Sequence, residues 1–260
     1  MIKVSPRYCC TVLLAVVSSL ILRSTASGGE ISFIPAGNYA PFYTKEGSSS
    51  SEDKLIRVKA FLLDIHQVTN EEFRQFASSN EEWRRGNVSK LFADTHYLQH
   101  WGEEGKEFGP EEGNKPVVNV SWFAAQSYCE SVGKRLPTTD EWEYVLNDMD
   151  RNKEAVHRAV MDWYAVPNRE LPSLINRPKN GFGISDMVAV VWEWTNDFNN
   201  FMVRSDARDS GSKAAFCGGG SLNVTELDNY AAFMRYSYRS SLQGNFTGKN
   251  LGFRCAKDKE

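Results

Sequence analysis

Glu193 stands between Trp192 and Trp194 in the stretch GISDMVAVVWEWTND, residues 183–197, with Asp186 seven residues upstream. A carboxylate in such apolar company needs a positive group or a set of N–H donors to satisfy it. An arginine or capped backbone amides would serve; so would a hard metal ion. In THYLQHW, His96 and His100 have the i,i+4 spacing that brings two imidazoles to one helix face and to a metal, although YLQHW beside Trp101 also reads as a structural stretch. In RYSYRSS, residues 235–241, Arg235 and Arg239 alternate with Tyr236 and Tyr238. Two arginines in aromatic surroundings can grip a peptide carboxylate or carbonyl, and can equally hold acids of the fold itself. Cys217 precedes Gly218, Gly219, Gly220 and Ser221. A lone thiol is a poor metal site and reads equally as a small buried hydrophobe. His66 and His157 have no partner nearby in sequence, and no G-x-S-x-G, H-E-x-x-H or phosphate-loop pattern occurs.

Several elements must position these groups. IRVKAFLLDIHQVT, residues 56–69, alternates loosely and predicts strand. Thr69 with Glu72 has capping-box spacing ahead of Phe73 and Phe76, which predicts a short helix. Ser121 is placed to cap a second helix, WFAAQSYCESV, ended by Gly133. Thr138 with Glu141 opens a third, carrying Trp142, Tyr144 and Val145; Asp140, Glu141 and Glu143 then read as its solvated start. TKEGSSSSEDK, residues 44–54, is polar and low in complexity and reads as an exposed loop. Beyond about residue 160, Gly, Asn, Asp, Ser and aromatics mix without a long period, which predicts a loop-rich half built from short strands. No linker divides this part, so one domain is expected.

The N-terminus has the form of an export signal. Lys3 and Arg7 precede an apolar run of 12 residues, TVLLAVVSSLIL, and Ser24-Thr25-Ala26 gives the small-x-small pattern. Residues 1–26 are therefore expected to be a signal peptide and 27–260 the functional domain; the apolar run is short for a stable membrane span. Removing Lys3, Arg7 and Arg23 leaves 27 of the 30 basic residues against 33 acidic ones, a formal charge of −6. An acidic chain without basic clusters argues against nucleic acid as a partner. The expected location is exported: periplasm, secretory lumen or extracellular space, where disulfides persist. Past the leader remain Cys129, Cys217 and Cys255, which parity reads as one disulfide and one thiol. Sequons occur at Asn87, Asn119, Asn223 and Asn245.

VTNEEFRQF (68–76), PVVNVSWFAAQSYCESVGKRLPTTDEWEY (116–144), NGFGISDMVAVVWEWTND (180–197), CGGGS (217–221) and NLGFRCA (250–256), in this order, resemble the formylglycine-generating enzymes, the sulfatase-modifying factors. The resemblance runs from about Ile31 to Cys255. It implies an α+β fold, irregular and loop-rich, of the C-type-lectin-like kind. It also implies structural calcium, with Asp186 and Glu193 as side-chain ligands and Ala189 and Val191 as carbonyl donors. Here AVV (189–191) stands where the family usually has Gly-Asn-x, so a positive φ at Ala189 would strain the loop. A second calcium site of the family falls within 160–180, a region too different here for ligands to be carried over. The resemblance further pairs Cys129 with Cys255, and sets Arg235 and Arg239 on an arginine-rich strand under the active cleft.

The active enzymes of the family bind copper(I) through two cysteines that follow the Gly-Gly-Ser strand, thiolates being soft ligands suited to that metal. The matching segment here, LNVTELDNYAAFMRYSYRSSLQGNFTGKN (222–250), contains no cysteine, so copper is not expected. The expected function is that of an exported accessory or maturation factor without formylglycine oxidase activity, binding an extended segment of a partner protein or exported enzyme. The alternatives are an oxidoreductase of the same family with a different metal site, and a lectin-like binding module; fold alone does not choose among them.

Overall fold

A computed structural model describes residues 29–40, 55–102, 110–147, 153–166, 169–199 and 227–260. The fold is α+β and loop-rich: short strands and helices joined by long irregular connections. The strands are β1 (Ile31–Ile34), β2 (Gly37–Tyr39), β3 (Ile56–Val58), β4 (Phe61–Asp64), β5 (Trp192–Glu193), β6 (Leu251–Gly252) and β7 (Ala256–Asp258). The helices are α1 (Asn70–Ser79), α2 (Pro110–Gly113), α3 (Trp122–Ser131), α4 (Thr139–Asn147), α5 (Lys153–Ala165) and α6 (Leu227–Ser241). Among the described residues, no helix is long and apolar enough to cross a membrane.

Antiparallel β1, β4 and β7 form a three-stranded sheet with β4 in the centre, β2 pairs with β3, and β5 with β6 in parallel. β4 (FLLD) turns Phe61 and Leu63 into one core, where they meet Ile34, Val58, Trp142 and Val145. Helix α1 presents Phe73, Phe76 and Ala77 at i, i+3 and i+4, the spacing of one helical face. That face enters a second core around Tyr128, Trp194 and Phe253, with the Phe73 ring stacked 5.8 Å from Tyr128.

The three helix starts expected from sequence are present. Thr69 and Glu72 form a reciprocal capping box, Ser121 accepts from the Ala124 N–H, and Thr138 and Glu141 exchange the same pair of bonds. Helix α3 is closed by Gly133 at φ 69°, where a side chain would be strained. The expected strand over 56–69 is cut into β3 and β4 and ends at Asp64; residues 65–69 leave the sheet to bring Gln67 inward and to start α1. The region past residue 160 also differs from expectation, because α6 spans fifteen residues there, after α5. The 44–54 loop lies outside the described residues.

Asp64 closes β4 with a buried carboxylate. One oxygen takes the Cys255 N–H at 2.9 Å and the other takes the ammonium of Lys134, itself nearly buried. Burial pushes the Asp64 carboxyl up to about 6, against the opposing pull of Lys134 and the Cys255 amide. A raised carboxyl pKa means that the folded state binds the extra proton between about pH 4 and 6, so this group's contribution to stability falls as pH rises through that window and is level above it. Lys134→Met leaves the charge buried alone at neutral pH, and the expected loss is about 3 kcal/mol. Below about pH 5 Asp64 is neutral in both chains, and the deficit should nearly vanish. Urea unfolding at pH 7.5 and 5 checks this; a deficit that stays constant with pH contradicts it.

Candidate functional site

β5 fixes the two tryptophans and Glu193 by strand alternation. Its pairing to β6 runs through Trp192 N–H to the Asn250 carbonyl (2.8 Å) and Trp194 N–H to the Gly252 carbonyl (3.0 Å). Gly252 is required by close approach, since a Cβ there would stand 2.6 Å from the Val117 carbonyl oxygen. Trp192 and Trp194 enter the apolar core, while Glu193 turns toward Arg254.

The side chains of Glu193 and Arg254 are both 0% exposed. Glu193 Oε1 accepts from Gln67 Nε2 at 2.7 Å and Arg254 Nη2 at 2.8 Å. Its Oε2 accepts from Trp142 Nε1 at 2.9 Å and Arg254 Nε at 2.8 Å. The guanidinium also donates to four backbone carbonyls, of Asp64 and Ile65 through Nη1 and of Ser185 and Asp186 through Nη2. Such charge-assisted, bidentate bonds are the strong kind in a dry interior. The acid between the tryptophans therefore holds an arginine.

Asp186 is nearly buried, and both of its oxygens are taken by Arg177 at 2.8–3.1 Å. Asp186 (φ 53°) and Ala189 (φ 67°) lie in the left-handed region. The strain expected at Ala189 is thus present, at a cost of roughly 1–2 kcal/mol. Calcium takes roughly six to eight unblocked oxygens. Glu193 has each of its four lone pairs on an N–H donor and Asp186 is closed by Arg177, so in this arrangement the donor set does not fit that ion. Ala189 and Val191 follow in the same loop, Val191 being buried. Among the described residues no three His, Cys, Asp or Glu side chains converge as a metal site.

Arg235 and Arg239 lie on α6, not on a strand. Their i,i+4 spacing puts both guanidinium groups on one helix face, where they converge on the buried Glu143: Arg235 in a fork at 2.8 and 3.1 Å, Arg239 at 3.0 Å. Burial raises the Glu143 carboxyl, but the two arginines outweigh it and hold it below the usual carboxylate range. The reading of these arginines as holders of the fold's own acids is the one realised. The Arg239 carbon lies 4.3 Å from the centre of the Trp142 ring. Nε and Nη2 of Arg239 are buried and have no hydrogen-bond partner among the described residues. Tyr238 stacks on Trp192 with ring centres 4.7 Å apart, and Tyr236 bonds to Tyr39, whose hydroxyl donates to Asp140 at 2.7 Å.

His96 and His100 do not share a helix face. Leu98 between them has φ 48° and breaks the turn; it is fully buried and its N–H donates to the Asn119 carbonyl. His96 lies beside Asp94, whereas His100 and the Trp101 indole both bond Asn70 Oδ1. The stretch is structural. Cys217 and its glycines lie outside the described residues. Cys129 and Cys255 are joined, with Cα atoms 5.6 Å apart.

Arg254, Gln67 and Arg177 were not singled out by motif, and Glu143, expected on a solvated helix start, is buried instead because Arg235 and Arg239 supply its countercharge. One signal was available for Arg254: a cation set between Phe253 and Cys255 needs a buried anion as much as Glu193 needs a cation.

Residues 18–259 match the family described as the sulfatase-modifying factor enzyme 1-like domain. The formylglycine-generating enzyme of Mus musculus is 27% identical, the alignment covering 86% of this chain and 74% of that one. The inactive C-alpha-formylglycine-generating enzyme 2 of Bos taurus is 29% identical over 77% of this chain and 78% of its own. Among solved structures, Treponema denticola variable protein 1 aligns with a TM-score of 0.47 at 16% identity, over 88% of this chain and 95% of that one. With a match over nearly its whole length, the chain belongs to the sulfatase-modifying factor enzyme 1-like family.

Proposed function

We propose that this chain is a member of the family without formylglycine oxidase activity, an exported accessory or maturation factor that binds an extended segment of a partner protein. Cysteine arithmetic carries the reading. Of the five cysteines, Cys9 and Cys10 lie ahead of the apolar N-terminal run and Cys129 is bonded to Cys255, which leaves Cys217 alone. A copper(I) site of two thiolates cannot be assembled from one. The existence of an inactive relative in cattle agrees with this reading. The Cys129–Cys255 bond suits an oxidising, exported location.

The test has two arms. The purified chain is incubated with a sulfatase-type cysteine peptide, copper(I) and oxygen, and aldehyde is read by hydrazide labelling. None is expected, and its formation overturns the proposal. Fluorescence anisotropy with the same peptide should show binding to the wild-type chain. No binding to the wild-type chain removes the partner half of the reading.

A further inference from the structure

Two carboxylates of the 185–193 loop, Asp186 and Glu193, face two guanidinium groups, Arg177 and Arg254. Their formal charges cancel. A divalent ion added here would leave a surplus of two positive charges beside a pair that is fully buried, where uncompensated charge is costly. The oxygens are spent as well. Glu193 accepts four N–H bonds, Asp186 is closed by a fork, and the Ser185 and Asp186 carbonyls take the far edge of Arg254. Among the buried side-chain oxygens of this cluster, only Gln67 Oε1 lacks a donor, and one oxygen does not make a calcium cage. The loop nevertheless keeps its sharp course, with Asp186 and Ala189 both left-handed.

We infer that the guanidinium groups of Arg177 and Arg254 take the place of a divalent cation in this loop, so that it is held without calcium. Arg254 grips from inside, and its six bonds tie the loop to β4 and β5. Arg177, one-third exposed, closes the outer side on Asp186. A planar fork grips both oxygens of a carboxylate while its other N–H groups reach carbonyls in fixed directions, whereas a lysine donates from a single atom. This inference does not depend on the proposed function.

The experiment uses the full mature chain, with thermal unfolding followed in EDTA and in millimolar calcium chloride. The wild-type midpoint should not differ between the two. R177Q should unfold at a lower temperature in EDTA and in calcium alike, because Asp186 loses its cation while Glu193 stays filled by Arg254, Gln67 and Trp142. A wild-type midpoint that falls in EDTA, with the fall abolished in D186A, overturns the inference. A chelator response that persists in D186A assigns calcium to another place and supports an arginine-held loop. An R177Q chain that unfolds at the wild-type temperature shows that Arg177 does not hold the loop, and also overturns it. If R177Q does not fold, the wild-type and D186A measurements decide.

Discussion

Glu193→Ala is expected to destabilise the protein by about 4 kcal/mol at neutral pH, among the larger losses that a single substitution can cause. The loss comes from what remains behind. Arg254 stays fully buried with its anion gone, the Trp142 indole N–H loses its acceptor, and the Gln67 amide keeps only the Asp186 carbonyl. Glu193→Gln should recover little, because its amide presents new N–H donors to groups that are themselves donors. In many proteins a buried ion pair can be exchanged for apolar residues at small cost. That exchange should fail here. In the double variant E193L/R254M, the carbonyls of Asp64 and Ser185 lose their Arg254 donor and the Trp142 indole N–H its acceptor, at about 1–3 kcal/mol for each group left buried and unpaired, while the Ile65 and Asp186 carbonyls keep Ser185 and Gln67. Urea unfolding of the three variants tests this. A double variant as stable as the wild type would show that Arg254 serves only as a counterion.

The parts of this molecule that were legible from sequence are those in which the decisive bond spans a few residues. Thr69 to Glu72, Ser121 to Ala124 and Thr138 to Glu141 close within a single turn, so the residue types announce the helix starts. The segment around residues 235–239 was not legible in that way. Arg-Tyr-Ser-Tyr-Arg alternates with period two and suits a strand, while its arginines also stand at i,i+4 and suit a helix. Glu143 settles the matter from 92 and 96 residues away, because two guanidinium groups reach one carboxylate from a single helical face. The same holds for Glu193. Its need for a partner is visible locally, but Arg254 lies 61 residues on and Gln67 126 residues back. Motif order identified the family, whereas the pairing that replaces a metal cage depends on side chains whose meeting no local pattern encodes.

Replacing both bonded cysteines, C129A/C255A, should cost about 5 kcal/mol in the chain-entropy account of a loop this long. The bond spans 126 residues, nearly half the chain, and its closure encloses α4, α5 and the whole 185–193 loop. The native end of the bond is also fastened in other ways. The Cys255 N–H donates to Asp64, its carbonyl accepts from the Asp64 N–H, and Arg254 next to it carries the six-bond cage. These contacts keep residues 253–256 in register with β4 even when the sulfurs are removed, so the variant should fold, with its unfolding midpoint in urea well below that of the wild type. They also predict coupling. Once Glu193→Ala has opened the cage, the covalent tie secures a segment that is already loosened, so the combined loss in C129A/C255A/E193A should fall short of the sum by more than about 0.5 kcal/mol. Strict additivity would mean that the tether and the guanidinium cage stabilise separate units, and that the chain near Cys255 does not act as one clamp on β4.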